Sequence, residues 1–264
     1  MKTQLFSGIV LLMASTLAQA QQHFSTPDQA SDALTAAIGE HNESAMSSLL
    51  GERWRDFLPA EGVDPEAVDR FLRDWKVQHN TVISGDVAHL VVGENSWQLP
   101  IPIVKTANGW QFDIQAGADE ILTREIGRNE LAAIEALHAY VNAQQSYYAM
   151  NQTYAQKIVS SEGKKDGLYW PAAPGEAPSP LGPAFSPSEP GAGYHGYRFR
   201  ILPDKHNGFA MVAWPVDYGQ TGVMSFVINQ DDKVYQRDLG KYSGQKAQAL
   251  KEYDPDNTWQ PVAP

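Results

Sequence analysis

The sequence predicts an α+β fold, with N-terminal helices, a curled antiparallel sheet, and then a long amphipathic helix packed on a second antiparallel sheet. Apolar residues recur at helical spacing early in the mature chain and again over 118–150. Runs rich in β-branched and aromatic residues, separated by tight-turn dipeptides, follow each helical stretch. Because these strands follow one another without intervening helices, both sheets are expected to be antiparallel.

Composition narrows the class of protein. The chain has 264 residues, a net charge of −11 and no cysteine. An acidic surface disfavours binding to nucleic acid or anionic lipid. The absence of cysteine excludes thiol nucleophiles, cysteine-ligated zinc and iron–sulfur clusters. An exported chain without disulfides is typical of bacteria rather than eukaryotes.

Residues 1–20 have the pattern of a cleaved secretory signal. Lys2 precedes an apolar run centred on 9–13, and the sequence "AQA" ends the segment. A membrane anchor is the alternative, but the apolar run is too short to span a bilayer. We therefore expect cleavage after Ala20 and a periplasmic or secreted bacterial protein, with no membrane span after signal removal.

The first domain is expected over residues 21–117. Thr26 followed by Pro27 is typical of a helix start, and Asp64 followed by Pro65 opens a further helix. The dipeptide Asn108-Gly109 predicts a hairpin within the strand-like runs that follow. This order of helices and curled sheet resembles the small α+β cones of nuclear-transport-factor-2-like and cystatin-like proteins.

The second domain is expected over residues 118–245 and begins with the long helix. Its apolar stripe is predicted to face the sheet, and comprises Leu131, Ile134, Leu137 and Val141. Its polar face is predicted to meet solvent, and comprises Asn129, Glu135, Asn142 and Gln145.

Strands are predicted after a proline-rich loop at 171–193. Seven prolines between 171 and 190 prevent regular strand pairing, which predicts an extended surface loop. The runs "YRFRIL", "FAMVAWPV", "VMSFVIN" and "KVYQRDL" then predict strands, with turns at Asn207-Gly208 and 229–232. Trp97, Trp110 and Trp214 lie in strand patterns and are expected in the core. Residues 246–264 are expected to form a C-terminal tail.

Long stretches of the chain resemble one known family. The sequences "QAGADEILTREIGRNELAAIEALHAYVNAQQSYY", "GYHGYRFRIL" and "GFAMVAWPVDYGQTGVMSFVINQDDKVYQRDLG" are similar to bacterial exported proteins grouped as domain of unknown function 2950. The resemblance covers most of the mature chain and implies no mechanism.

The C-terminal half also resembles the globular head of type IV pilins and pseudopilins, in which a helix packs on a sheet. The residues corresponding to the membrane-anchoring helix of a pilin are strongly charged here, as in "ADEILTREIGRNEL", which cannot lie in lipid. The resemblance therefore implies a head-like sheet rather than a filament subunit. Gly219 and Gly222 would shape the connection between two strands of that sheet.

Familiar catalytic motifs are missing from the sequence. It contains no serine-hydrolase elbow, phosphate loop, dinucleotide fingerprint or His-Glu-x-x-His zinc motif. The seven histidines do not pair at metal-ligand spacing. Gly219 and Gly222 are assigned a structural role, because a glycine-rich anion cradle requires a helix next and a strand follows. No cofactor is predicted.

Two candidate binding sites follow from side-chain chemistry. Tyr169, Trp170 and Tyr194 frame the proline-rich loop and are candidates for binding protein or glycan, or for pinning the loop to the sheet. Asp231 and Asp232 are metal candidates, since the pseudopilin resemblance implies calcium in terminal loops. A turn capped by aspartate is the alternative.

The leading functional hypothesis is a non-enzymatic exported module for binding or assembly in the cell envelope. Its partner would be an unknown envelope protein or glycan, and not nucleic acid. The alternative is a small-molecule enzyme that uses a pocket in the N-terminal cone-like domain. Asp113 and His89, both in strand segments, would be the first residues to consider.

Overall fold

A computed structural model describes residues 21–57, 63–183, 193–203 and 208–262. The predicted signal at 1–20 and Asn207 of one predicted turn lie outside the described residues. The predicted α+β class is confirmed, because the described residues form helices and two antiparallel sheets. They divide into two compact units, unit 1 up to Ile121 and unit 2 from Leu122.

The described residues contain the predicted succession of helices and strands, followed by a helix and a strand that were not predicted. The helices are α1 (Pro27–Gly39), α2 (Glu43–Leu50), α3 (Pro65–Val77), α4 (Ile114–Asn151) and α5 (Ser243–Ala249), with a short 3₁₀ helix at Trp54–Phe57. The strands of unit 1 are β1 (His79–Ser84), β2 (Val87–Val92), β3 (Trp97–Gln98), β4 (Ile103–Thr106) and β5 (Gly109–Phe112). The strands of unit 2 are β6 (Tyr197–Leu202), β7 (Ala210–Pro215), β8 (Met224–Asn229), β9 (Tyr235–Asp238) and β10 (Gln260–Pro261).

Unit 1 packs its helices against one antiparallel sheet. The Thr26 hydroxyl accepts a hydrogen bond from the third residue of its helix, and the Asp64 carboxylate caps α3 in the same way. The strand order is β1-β2-β4-β5, with β3 paired to β2. The hairpin between β4 and β5 pairs Thr106 with Gly109, so its two central residues are Ala107 and Asn108. The hairpin is therefore confirmed, with its turn one residue earlier than predicted.

Unit 2 is a five-stranded antiparallel sheet in the order β10-β9-β8-β7-β6, with a helix on each face. The α4 face buries Leu137 and Val141 together with Phe226 and other side chains of the sheet. The other core contains Ala247 of α5 and Trp259. Every residue of β7 is buried as a result. The segment expected as a tail thus supplies β10 and part of this second core.

Two expectations about α4 are wrong. Leu131 was expected in the core, yet 64% of its surface is exposed. Asn129 was expected to face solvent, yet it is partly buried and its side chain donates to Thr221 O at 3.1 Å. The face of α4 that packs on the sheet is rotated about the helix axis, by roughly the angle between successive residues, from the predicted stripe. Its buried positions include Ala133 and Tyr140.

The proline-rich loop does not lie wholly at the surface. Residues 171–178 are exposed, but Leu181 is buried in the same core as Leu137. The Leu181 N–H donates to Leu168 O at 2.9 Å. The loop is therefore attached to unit 2 at this point, and residues 184–192 lie outside the described part of the chain. Among the described residues, no helix has both the length and the apolar character that crossing a membrane requires.

Candidate functional site

Four aromatic rings of unit 1 form a continuous row with exposed ends, which we call the aromatic strip. Trp75 and His79 are stacked, with ring centroids 3.8 Å apart and planes only 6° from parallel. Phe71 lies next along the strip, 6.4 Å from Trp75. Trp97 closes the other end, 6.3 Å from Phe71 in an edge-on arrangement. The two contacts of Phe71 lie within the usual range of aromatic pairs, about 4.5–7 Å, and the Trp75–His79 stack is closer.

Regular secondary structure holds each ring of the aromatic strip. Phe71 and Trp75 are four residues apart on α3, so their side chains lie on one face of the helix. His79 begins β1, and its Nδ1 lies 2.8 Å from Trp75 O. Trp97 lies in β3 opposite Val92. Phe71 is buried with Leu90 and Val92, which anchors the strip to the core.

A glycine turn fixes Trp97 beside α3. Gly93 has φ +71°, and a Cβ there would lie 3.1 Å from Asp74 Cβ, so only glycine fits this close approach without strain. The Gly93 N–H also donates to Gln78 O at 2.8 Å. The turn that leads into Trp97 is thus tied to both α3 and the start of β1.

The two ends of the aromatic strip face solvent. Trp97 is 44% exposed and His79 is exposed, whereas Trp75 is partly buried. Gln78 and Asn80, which flank His79 in extended backbone, point to the other face of the sheet. Exposed flat rings can stack on a ligand.

Comparison with protein families gives one match, and it covers nearly the whole chain. A family model described as "Protein of unknown function (DUF2950)" matches residues 21–207 and 204–262. The chain belongs to the DUF2950 family. The family resemblance is thereby confirmed. Searches of curated proteins and of solved structures gave no match. The similarities of this DUF2950 protein to pilin heads and to nuclear-transport-factor-2-like cones remain predictions.

Sequence reasoning missed the aromatic strip of the DUF2950 protein. Trp97 was expected in the core, which is wrong, while Trp110 and Trp214 are buried as expected. The spacing of Phe71, Trp75 and His79, four residues apart each time, was the signal available. The same spacing is typical of an apolar helix face, and the contact with Trp97 depends on sheet pairing that no local pattern encodes.

The three aromatics proposed to frame the proline-rich loop have different surroundings. Trp170 is buried in the core of unit 2, and Tyr169 packs against that core. The Tyr169 N–H donates to Ile158 O at 2.8 Å. Tyr194 pairs through its backbone with Tyr197, at the start of β6. These positions favour pinning of the loop, and ligand binding by these residues remains a prediction.

The two aspartates proposed as metal ligands lie in the turn between β8 and β9. Asp231 is held by Asn229, whose side-chain oxygen accepts from the Asp231 N–H at 3.2 Å. Asp232 has φ +56°, and its Oδ1 lies 2.7 Å from His138 Nδ1. The described residues contain no cluster of three or more His, Asp or Glu that could hold a metal ion. Metal binding by Asp231 and Asp232 thus remains a prediction.

The connection that carries Gly219 and Gly222 is closed by hydrogen bonds to α4. Gly219 has φ +79°, and the Glu130 carboxylate accepts from the N–H groups of Val223 and Met224 at 3.0 and 2.9 Å. A Cβ at Gly222 would meet a tyrosine hydroxyl of β6 at 2.1 Å. The close approach of β6 explains why glycine occupies this position.

That hydroxyl belongs to Tyr197, and its environment is structural. It donates to Met224 O at 2.8 Å. Burial raises the pKa of the Tyr197 hydroxyl well above its usual range, and the Glu130 carboxylate adds to the increase. A phenol held neutral in this way and engaged with backbone is a structural hydrogen-bond donor rather than an acid–base catalyst.

A serine–lysine–aspartate group in a loop of unit 2 superficially resembles a catalytic site. Lys157 Nζ lies 2.6 Å from Ser161 Oγ and 2.8 Å from Asp166 Oδ2. The Ser161 N–H donates to Asp166 Oδ1 at 2.7 Å. The Ser161 hydroxyl also donates to Asp166 Oδ2 at 3.0 Å, so the three side chains are engaged with one another. The group closes the loop between Lys157 and Asp166.

The residues suggested for an enzyme in the N-terminal domain are not organised as a catalytic pair. The Asp113 carboxylate accepts from the Ala116 N–H at 3.0 Å, which caps the first turn of α4. His89 lies in β2, and its buried Nδ1 has no hydrogen-bond partner among the described residues. Asp113 thus has a local structural role.

Proposed function

We propose that this DUF2950 protein is an exported bacterial binding protein of the cell envelope without enzymatic activity, and that the aromatic strip contacts its ligand. The observation that carries the proposal is the exposure of Trp97 and His79 at the ends of a strip whose centre is anchored in the core. Exposed tryptophan on a rigid support is typical of recognition surfaces, where aromatic residues dominate the binding energy.

We infer that the ligand is a glycan rather than a large protein surface. An aromatic side chain buries about 150–250 Å² in full, and a stable protein interface needs about 800 Å² from each partner. Two partly exposed rings supply only part of that area. Their flat faces suit the C–H faces of a sugar ring. The acidic charge of the chain disfavours nucleic acid as the stacked ligand.

Titration with soluble glycans tests this proposal. The mature protein, residues 21–264, would be titrated with β-1,4-linked N-acetylhexosamine oligosaccharides and with soluble fragments of bacterial cell-wall glycan, using tryptophan fluorescence and calorimetry. Trp97→Ala should weaken binding by at least about tenfold, the effect typical of a central aromatic contact. Tyr242→Ala, which removes an exposed ring of unit 2, is the matched control and should leave the affinity unchanged.

Two results would contradict the binding proposal. One is the absence of binding by every glycan tested. The other is an affinity that Trp97→Ala leaves intact, which would exclude the aromatic strip as the contact surface.

Export requires a separate experiment. Mass spectrometry of the protein from the periplasm or the medium should give an N-terminus at Gln21, because the small residues around Ala20 suit signal cleavage. Recovery of intact Met1 from a membrane pellet would refute export as a soluble protein.

A further inference from the structure

The first residues after the expected cleavage point form a strap along unit 1, which we define as residues 21–24. The Phe24 N–H donates to Trp110 O, and the Trp110 N–H donates to Phe24 O, both at 2.8 Å. The Gln22 N–H donates to Ser48 O at 2.8 Å. Chain termini are usually poorly ordered unless something holds them. The strap is held by backbone hydrogen bonds to both α2 and β5.

The side chain of Gln21 adds two further hydrogen bonds to the strap. Its Nε2 donates to Leu49 O and to Phe112 O, each at 2.7 Å. A glutamine amide nitrogen carries two N–H groups, so both donors are used. Gln21 is partly buried, whereas the next residue, Gln22, is exposed. The two neighbouring glutamines therefore differ sharply in how they are held.

Both acceptors of the Gln21 amide are groups that regular secondary structure leaves without a partner. Leu49 lies in the last turn of α2, where the carbonyl groups have no N–H of the same helix to accept. Phe112 lies in β5, two residues after Trp110, whose outward groups bond to Phe24. Because outward positions alternate along a strand, Phe112 O points to the same open edge. The Gln21 side chain thus satisfies a helix end and a sheet edge together.

A glutamine at a free N-terminus can undergo a reaction that is closed to glutamine inside a chain. Its α-amino nitrogen attacks the side-chain carbonyl carbon Cδ and forms a new N–Cδ bond. The Cδ–Nε2 bond breaks, and Nε2 leaves as ammonia with the proton that the amine gives up. The product is an uncharged cyclic lactam, pyroglutamate. Removal of residues 1–20 would place Gln21 in this position.

We propose that the fold protects Gln21 from this cyclisation and keeps the mature N-terminus as an intact, charged glutamine. The leaving atom, Nε2, is the atom that makes both hydrogen bonds. Its loss would leave Leu49 O and Phe112 O without their donor, which costs free energy. Cyclisation therefore requires that the strap first opens. The proposal rests on the export and cleavage after Ala20 proposed above, and it does not depend on the aromatic strip.

Mass spectrometry of the N-terminal peptide measures the reaction, since cyclisation removes the mass of one ammonia molecule. A chain that begins at Gln21, released from a removable tag by a site-specific protease, would be incubated folded and, separately, unfolded in guanidinium chloride. Both incubations would use the same pH and temperature. The folded chain should cyclise at least about tenfold more slowly, which is the effect of one or two net hydrogen bonds.

A chain that begins one residue earlier and carries Ala20→Gln is the matched control. Its terminal glutamine cannot bond to Leu49 O and Phe112 O in the same way, because the Gln21 side chain still occupies them. This terminal glutamine should cyclise at similar rates in the folded and the unfolded chain.

Gln21→Glu tests the anchoring of the strap separately from cyclisation. It replaces two N–H donors by carboxylate oxygens that face two carbonyl oxygens. The amide hydrogens of Phe24 and Trp110 should then exchange with solvent at least about tenfold faster. Gln22→Glu makes the same change at the exposed neighbour and should leave that exchange unchanged.

Three results would overturn the proposal. Equal rates of cyclisation in the folded and unfolded chain that begins at Gln21 would exclude protection by the fold. Unchanged exchange at Phe24 in Gln21→Glu would show that this side chain does not hold the strap. Protein recovered from the periplasm or medium should begin with uncyclised Gln21. A cyclised Gln21 there would refute protection while supporting cleavage after Ala20, whereas a different first residue would refute the cleavage and with it the proposal.

Discussion

Replacing Leu137 by alanine should destabilise unit 2 far more than the same replacement at Leu131. Both leucines lie on α4, so backbone context and chemistry are matched. Leu137 is 0% exposed and belongs to the core between α4 and the sheet, together with Tyr140 and Phe226. Truncating a buried leucine costs about 2–5 kcal/mol, because burial is lost and a cavity remains. Leu131 is mostly exposed, so its truncation should stay within about 0.5 kcal/mol.

Urea and thermal melts of a protein that spans residues 21–264 measure this difference. For a domain of about 150 residues, each kcal/mol shifts the melting temperature by about 2–4 °C. Leu137→Ala should therefore lower the unit 2 transition by about 4–20 °C, while Leu131→Ala leaves it nearly unchanged. If the two units unfold separately, one melting temperature does not describe the whole chain. Calorimetry would then resolve the two transitions.

Neutrality of both substitutions would refute the packing of α4 on the sheet. A large and equal loss for both would show that Leu131 is covered in solution, against its exposure in the isolated chain. Neutrality of both substitutions would also remove the basis for comparing unit 2 with a pilin head.

Three further substitutions test local features of unit 2. Gly222→Ala should destabilise by roughly 1–3 kcal/mol in urea melts, since the added methyl group overlaps the Tyr197 hydroxyl. Leu181→Ala should cost about 2–5 kcal/mol, and a neutral result would show that the proline-rich loop is not held by this side chain. The hydrogen bond from Lys157 lowers the pKa of Asp166. That contribution is present above the ordinary aspartate pKa of about 3.9 and is lost as the pH falls through the lowered value. Asp166→Asn should remove it at neutral pH, seen as faster amide hydrogen exchange in the loop.

Local signals in the sequence predicted most of the fold. The caps at Thr26 and Asp64 marked helix starts because a side-chain oxygen can satisfy N–H groups that the first turn leaves unpaired. The β4–β5 hairpin was predicted because its turn residues favour the required backbone angles. These features depend on a few neighbouring residues, so no tertiary information was needed.

The face of α4 that packs on the sheet was predicted less well, because size was used as the criterion for burial. Ala133 and Ala143 are buried although small residues do not stand out in a hydrophobic pattern. Gln144 is fully buried although it is polar. Its side chain donates to Ala155 O at 2.8 Å and accepts from the Ala155 N–H at 2.9 Å. A polar group is buried at little cost when its hydrogen bonds are made. The partner of Gln144 is the backbone of Ala155, which lies after the end of α4, so the pattern of the helix itself does not indicate it.

The same criterion of satisfied groups applies to two polar side chains of unit 2. Both are engaged internally: Glu130 by two backbone N–H groups, and Lys157 by Asp166. Both units expose aromatic area and have strands at the ends of their sheets, so neither feature separates them. What distinguishes Trp97 is that its ring contacts Phe71, which is anchored in the core of unit 1. That rigid support, and not exposure by itself, is the reason for proposing recognition by unit 1.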